Sequence, residues 1–252
     1  MLTKNKTLLA GMAIAAAFGL VGVSFASGIT HFEKAHNDVA NTASLQRGAR
    51  NFVNYCSGCH SAQYVRYNRV AADLGLSEDQ VIKNLMFTGE RPTDKMKNAM
   101  ATVDAQRWFG KDPPDLSLIA RSRGTDYLFT FLKSFYLDPS RPSGTNNTVL
   151  PGAAMPAVLW ELQGLQRKVE VGNAVEGGDL DKHFAGFELA TKGKLSPAEF
   201  DEFVRDTVNF LDYIGEPMQL ERRSLGMGVM TFLLIFFGFT YFLKKEYWKD
   251  VK

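Results

Sequence analysis

Apolar residues recur along this chain at helical spacing. Leu45, Ala49, Phe52 and Cys56 fall at i, i+4, i+7 and i+11, which predicts a helix that delivers Cys56 on its buried face. Ser77 with Gln80 makes a capping-box pair that opens a second helix carrying Val81, Ile82, Leu85 and Met86. Asp115 can cap a short helix that Gly124 ends. Thr125 can cap the next, whose Leu128, Phe129, Leu132, Phe135 and Tyr136 run up to Asp138-Pro139. Ser196-Pro197-Ala198-Glu199 combines an N-cap, a proline at the first helical position and a glutamate two residues later. The helix it opens puts Phe200, Phe203, Val204, Thr207, Phe210, Leu211 and Ile214 on one stripe, and Gly215 ends it. Residues 140–148, with Pro142, Gly144, Asn146 and Asn147, read as a loop. No run alternates with period two, and there are no repeats, so the expected fold class is all-α.

The two ends differ from the body. Lys4 and Lys6 precede an uncharged apolar stretch from about Leu8, and Ser24 and Ala26 occupy the −3 and −1 positions of a cleavage site, as in a secretory signal peptide. An uncleaved signal anchor is the alternative, because the stretch exceeds the usual apolar length of about 7–15 residues. Residues 225–243 carry no charge and include Phe232, Phe236, Phe237 and Phe239, close to the roughly 20 residues needed to cross a bilayer. A soluble helix of that length keeps a polar face, and this one has none. Tyr241, Tyr247 and Trp248 form an aromatic belt at one end. Arg222 and Arg223 precede the span and four lysines follow it, a modest positive-inside bias toward a cytoplasmic C-terminus. Export followed by one stop-transfer helix gives the expected layout: signal peptide 1–26, periplasmic body 27–223, transmembrane helix 224–243, cytoplasmic tail 244–252, with the whole in the inner membrane.

Composition narrows the function. With 45% hydrophobic and 22% charged residues, the 252-residue chain is neither collagen-like, mucin-like nor wholly disordered. The net charge of +2 comes from the ends: without Lys4, Lys6, Lys244, Lys245, Lys249, Lys252, Glu246 and Asp250 there are 23 basic and 25 acidic residues. Such a body is no nucleic-acid binder by charge. Residues 47–141 hold 14 basic and 10 acidic side chains, whereas 170–221 hold 4 and 12. The acidic stretch is either a solvated helical face or a surface that speeds encounter with a basic partner.

The chemistry sits in Cys56-Ser57-Gly58-Cys59-His60. The pattern C-x-x-C-H is that of covalent haem c attachment, in which both thiols add to the haem vinyl groups and the adjacent histidine binds iron. Cys56 and Cys59 are the only cysteines, so a zinc site of about four ligands would lack partners. A thioredoxin-like pair sits in a βαβ context, which is absent from this pattern. A simple disulfide would make His60 coincidental. The candidates for a sixth iron ligand are Met86, Met96, Met100, Met155, Met218, His31, His36 and His183. Met86 lies on a helical stripe, where methionine is usually core filling. Met155 lies in Leu150-Pro151-Gly152-Ala153-Ala154-Met155-Pro156, whose prolines and glycine forbid regular helix and let backbone approach a ring. A His/Met pair saturates iron and suits electron transfer rather than oxygen or peroxide chemistry, so no catalytic residue is expected. Arg121 and Arg123, near a haem, would neutralise its propionates.

Taken together, these features resemble the cytochrome c1 family. Asn54-Tyr55-Cys56 through His60-Ser61, then Tyr64 and Arg66-Tyr67-Asn68, look like that family's haem segment. Pro113-Pro114-Asp115-Leu116-Ser117 with Arg121, Arg123, Asp126 and Tyr127 is similar to its second signature. Ala154-Met155-Pro156 falls where the family places its axial methionine, and Glu216-Pro217 leading to Arg222, Arg223 and Gly226 matches its approach to the anchor. The resemblance implies a cytochrome c-like helical domain that takes one electron from a Rieske iron-sulfur protein and passes it to a soluble or membrane-bound c-type cytochrome. It further implies cytochrome b and the lipid membrane as neighbours, a dimeric complex, iron held by His60 and Met155, and Arg121 near a haem propionate. The competing reading is a free-standing membrane-anchored cytochrome or a haem c subunit of a terminal oxidase. Those proteins often anchor at the N-terminus and lack the Pro113–Ser117 segment.

Overall fold

In the computed structural model, which describes residues 32–174 and 180–250, the helix ahead of Cys56 spans Thr42–Tyr55 (α1). Asn41 caps it, its side chain accepting from the Ser44 N–H. Ala62–Arg66 (β1), Tyr67–Asp73 (α2), Glu78–Asn84 (α3) and Lys95–Met96 (β2) follow, with β1 and β2 antiparallel. Ser77 and Gln80 make both bonds of the expected capping box. Next come Thr102–Phe109 (α4), Ile119–Arg123 (α5), Thr125–Lys133 (α6), Phe135–Leu137 (β3), Thr145–Asn147 (β4) and Trp160–Gln163 (α7). Gly164–Ala174 (β5) and Leu180–Lys192 (β6) form a long ribbon, Pro197–Gly215 (α8) a long helix, and Gln219–Tyr247 (α9) the last. The signal peptide expected over 1–26 lies outside the described residues.

The core is built where α1 crosses α8. A Cβ on Gly48 would stand 2.0 Å from the Asp206 backbone carbonyl oxygen, so only glycine permits this approach. Phe52 and Phe210 meet beneath it with ring centroids 5.6 Å apart, both fully buried. Beside them the buried Asp206 carboxylate accepts from Ser44 Oγ at 2.6 Å and from the Arg47 guanidinium at 2.5 and 2.9 Å. Asn209 bridges Ser44 Oγ to the Asp38 carbonyl. The stripe read from the sequence on α8 is the packed one: Phe200, Val204, Thr207, Phe210, Leu211 and Ile214 are buried, and Phe203 packs against the core partly buried.

The fold is not purely helical, which corrects the all-α expectation. Three two-stranded antiparallel sheets are present among the described residues. Phe135 and Tyr136, expected to continue α6, instead pair with Asn147 and Asn146. Helix α6 stops because Asn147 donates its side-chain amide to the Phe131 carbonyl, taking up a helix-end acceptor. The β5–β6 ribbon escaped notice for a different reason. Register shifts between Leu165 and Gln166 and between Val169 and Glu170 break the alternation, and Val171, Phe184 and Leu189 stand about half exposed. Beyond Gln166, the described side chains of the ribbon form no buried face for the pattern to record. Its base is fixed by Gln166, which donates to the Lys133 and Phe135 carbonyls at 2.7 Å. There Gly164, at φ +93°, passes so close to Thr191 that a Cβ would lie 2.2 Å from its carbonyl oxygen.

The last helix behaves as its composition suggests. α9 is 29 residues long, with a mean hydropathy of 1.9 in its most apolar stretch and none of that stretch buried. Length and apolarity suit a membrane span.

Gly48→Ala is expected to destabilise the protein by about 1–3 kcal/mol, since the added methyl must push α1 off α8. A thermal melt followed by far-ultraviolet circular dichroism measures this, and an unchanged midpoint would show the crossing to be slack.

Candidate functional site

Helix α1 ends where the C-x-x-C-H motif begins. The Cys56 and Ser57 N–H groups both reach the Phe52 carbonyl, at 2.8 and 2.9 Å, and Ser57 Oγ donates to the Val53 carbonyl. Cys59 and His60 then fold back, their N–H groups donating to the Cys56 carbonyl at 3.1 and 2.9 Å. This single tight turn sets both sulfurs and the imidazole on one wall. Asn98 closes the turn from outside, donating to the Cys59 carbonyl.

His60 is oriented by a distant segment. Its Nδ1 donates to the Pro114 carbonyl at 2.7 Å, which leaves Nε2 as the free nitrogen. Metal-bound histidines are typically held this way, the second nitrogen tied to a backbone carbonyl. The tie belongs to a longer seam. The Leu116 N–H donates to the Ser61 carbonyl, the Gln63 N–H to Asp115 Oδ2 and the Tyr64 N–H to Ser117 Oγ. Asp115 Oδ1 also takes the Ser117 N–H. Asp115 therefore does not cap α5, as the sequence suggested; Leu118 stands at that cap, and Asp115 joins the two signature segments instead.

The wall opens on a cavity of about 330 Å³, mostly apolar, within the range of small-molecule and cofactor sites. Cys56, Cys59 and His60 line it with Leu116, Ile119, Leu128, Phe131 and Leu132, and α8 contributes Thr207 and Leu211. Met155 lines it too, and no other candidate methionine or described histidine besides His60 does. Its loop is rigid for so irregular a segment. Asn146 Oδ1 takes the Gly152 N–H, Asn147 Oδ1 takes the Val149 and Leu150 N–H groups, and Arg141 donates to the Gly152 carbonyl. Gly152 adopts φ +78°, which favours glycine.

The other candidates lie elsewhere. Met96 is buried in the core on β2, Met86 packs against that core, and Met218 is exposed with its sulfur 3.2 Å from Arg69. His36 is exposed, and Met100 stands off the cavity wall. His31 and the His183 side chain fall outside the described residues.

Arg121 and Arg123 part company. On a helix, two residues apart means a rotation of about 200°. Arg123 lines the cavity, its guanidinium carbon 5.7 Å from the Tyr127 ring centroid, and Tyr127 stacks in turn on Phe131. Arg121 is absent from the lining and points to Glu216, 3.9 Å away. Arg123 and Tyr127 were visible in the sequence as signature residues, but Phe131 and the side that each α5 arginine takes were not.

Burial dominates the electrostatics of the wall. Burial pushes the Cys56 thiol up to about 12, with the neighbouring Cys59 adding to the effect, and burial raises the Cys59 thiol as well. Burial lowers the His60 pKa, against the upward pull of the Pro114 carbonyl and Asp115. A neutral imidazole is the form that binds iron.

Two thiols, an oriented imidazole and a facing thioether around an apolar chamber fit a haem held by thioether bonds, the class of the c-type cytochromes. The chain belongs to the cytochrome c1 family: the model of the cytochrome C1 family matches residues 31–166 and 192–251. The gap corresponds to most of the β5–β6 ribbon. The chain is 51% identical over 221 residues to cytochrome c1 of Allochromatium vinosum, covering 88% of this chain and 90% of that one. It is 46% identical over 220 residues to a protein of Nitrosomonas europaea named ammonia monooxygenase gamma subunit, covering 87% and 88%. Cytochrome c1 of Rhodospirillum rubrum is 30% identical over 238 residues, covering 82% of each chain. The chain carries covalently attached haem c and is the electron-transfer haem subunit of the cytochrome bc1 complex, membrane-anchored with one apolar C-terminal helix.

Replacing Cys56 or Cys59 singly by alanine is expected to leave haem on one thioether and shift the α band to longer wavelength. Replacing both makes the haem extractable by acidified acetone. Haem that resists extraction from the double variant would place the attachment on other side chains.

Proposed function

We propose that this chain relays single electrons from a Rieske iron-sulfur protein to a soluble or membrane-bound c-type cytochrome, with iron held by His60 Nε2 and Met155 Sδ. The observation that carries the reading is the Pro114 carbonyl, which fixes His60 Nδ1 and leaves Nε2 for the cavity that Met155 shares. Bound haem supplies a reversible one-electron couple. The chain's own residues hold and tune it: the thioether sulfur raises the potential and occupies the position an oxygen or peroxide enzyme needs open. The apolar walls keep water out. Arg123, seated on the Tyr127 face and on the cavity lining, offers its guanidinium to a haem carboxylate. No step of substrate chemistry is assigned to any side chain.

The same reading sets the placement. The body from about residue 27 to 223 faces the periplasm after removal of residues 1–26, α9 crosses the inner membrane beside cytochrome b, and the lysine-bearing tail is cytoplasmic. The complex is dimeric.

Met155→Leu is expected to lower the midpoint potential and admit carbon monoxide to the reduced iron, read by redox titration and by the Soret shift on gassing. An unchanged midpoint would move the ligand to another residue. Gentle solubilisation and capture through a C-terminal tag tests the rest: co-purifying haem b with quinol-dependent reduction of added cytochrome c is the expected result. A lone haem c spectrum would leave a membrane-tethered shuttle.

A further inference from the structure

The chain leaves its haem domain through Glu216-Pro217-Met218 and enters α9 at Gln219. Three attachments hold that exit. The Glu216 carboxylate takes Arg222 in a two-pronged pair, Nε on one oxygen and a terminal nitrogen on the other at 3.1 Å. Arg121 of α5 approaches the same oxygen at 3.9 Å, and its side chain lies over Gly215, where a Cβ would stand 3.2 Å from Arg121 Cγ. From α2, Arg69 reaches Met218 Sδ at 3.2 Å while its own Nε is fixed by Asp73, which also accepts from the Tyr213 hydroxyl of α8 at 2.7 Å. Gln219, the first residue of α9, is buried, whereas the apolar stretch beyond it is not.

An isolated exposed ion pair holds little, but a bidentate carboxylate shared by two arginines is the geometry in which such pairs do count. Pro217 fixes one backbone torsion within the joint. Helix α5 also lends Ile119 and Arg123 to the cavity wall. One short helix thus faces the haem chamber on one side and the joint that leads into the membrane helix on the other.

We propose that Glu216 is a positioning residue which, by engaging Arg121 and Arg222 together, clamps α9 to the wall of the haem cavity and fixes the angle of the haem plane to the membrane. This rests on the reading of α9 as a membrane anchor. Electron tunnelling falls steeply with distance, so a fixed mount keeps the haem edge within reach of a donor whose own site is set by the membrane. Arg121 then belongs to the mount, and Arg123 to the cofactor.

The test uses the full complex in oriented membrane multilayers, with electron paramagnetic resonance of the oxidised haem c recorded against sample angle. The wild-type signal is expected to depend sharply on angle. Glu216→Gln, and separately Arg222→Gln, which leaves the haem domain's own residues untouched, are expected to lose that dependence and to slow haem c reduction several-fold. Haem c content and midpoint potential stay unchanged, and Arg222→Lys keeps the ordered signal. Sharp angular dependence retained in both glutamine variants would overturn the proposal. So would Arg121→Gln if it lowered the midpoint potential while leaving the angle intact, for Arg121 would then serve a haem carboxylate. A wild-type signal without angular dependence would overturn it as well, and haem c recovered in the soluble fraction would show that the anchor reading had fallen first.

Discussion

The close crossing of α1 and α8 governs the site because both helices lead into the cavity wall, α1 at its end and α8 through Thr207 and Leu211. Gly48 lets the two backbones approach until the Asp206 carbonyl occupies the space of a side chain. About two turns further on, α1 delivers the first cysteine, and α8 lends Thr207 and Leu211 to the lining of the same chamber. Any sliding between the helices would change the depth at which the sulfurs sit. Asp206 opposes sliding. A buried carboxylate is tolerated only when fully partnered, and here Arg47 and Ser44 meet both of its oxygens at one register alone. The bond to Asp206 in turn holds the Arg47 guanidinium above its usual range, against the cost of its partial burial.

A second constraint operates across more than 50 residues of sequence. Prolines 113 and 114 carry no backbone N–H, so that stretch cannot enter a ladder or a helix interior, and its carbonyls are left to other donors. His60 takes one of them. The seam that follows, through Leu116, Asp115 and Ser117, ties the haem segment to the loop ahead of α5 by backbone and short side chains alone. Short donors and acceptors lose little freedom on ordering, which makes them suitable for fixing an imidazole whose angle matters.

What could be read from the sequence was what local physics decides. The capping boxes at Ser77 and Ser196 appear in the structure with both of their bonds, and the α1 and α8 stripes are the packed ones. Met155 stands on the cavity because its proline- and glycine-bearing loop has no alternative regular structure to join. The misreadings share a cause. Asp115 has an N-cap's composition but its partners, Gln63 and Tyr64's neighbour Ser117, are decided by tertiary contact. Phe135 and Tyr136 continue a helical period, yet Asn147 ends that helix from beyond the loop. The ribbon, exposed and twice shifted in register, never wrote an alternation into the chain. Arg121 and Arg123 differ only in the helix face they take, and a five-residue helix is too short for periodicity to assign its faces.

These constraints suit a protein that must change its charge without changing its shape. Apolar walls exclude water whose reorientation would accompany each electron, and the charged side chains on the lining beside His60 are confined to Lys111, Asp112 and Arg123. The turn that carries both thiols and the imidazole is fastened to α1 and to the seam before α5, and the loop of Met155 is fastened to β4 through Asn146 and Asn147. Because the turn and the Met155 loop are tied to different elements, the spacing of His60 and Met155 across the cavity is kept by the whole domain rather than by any single contact.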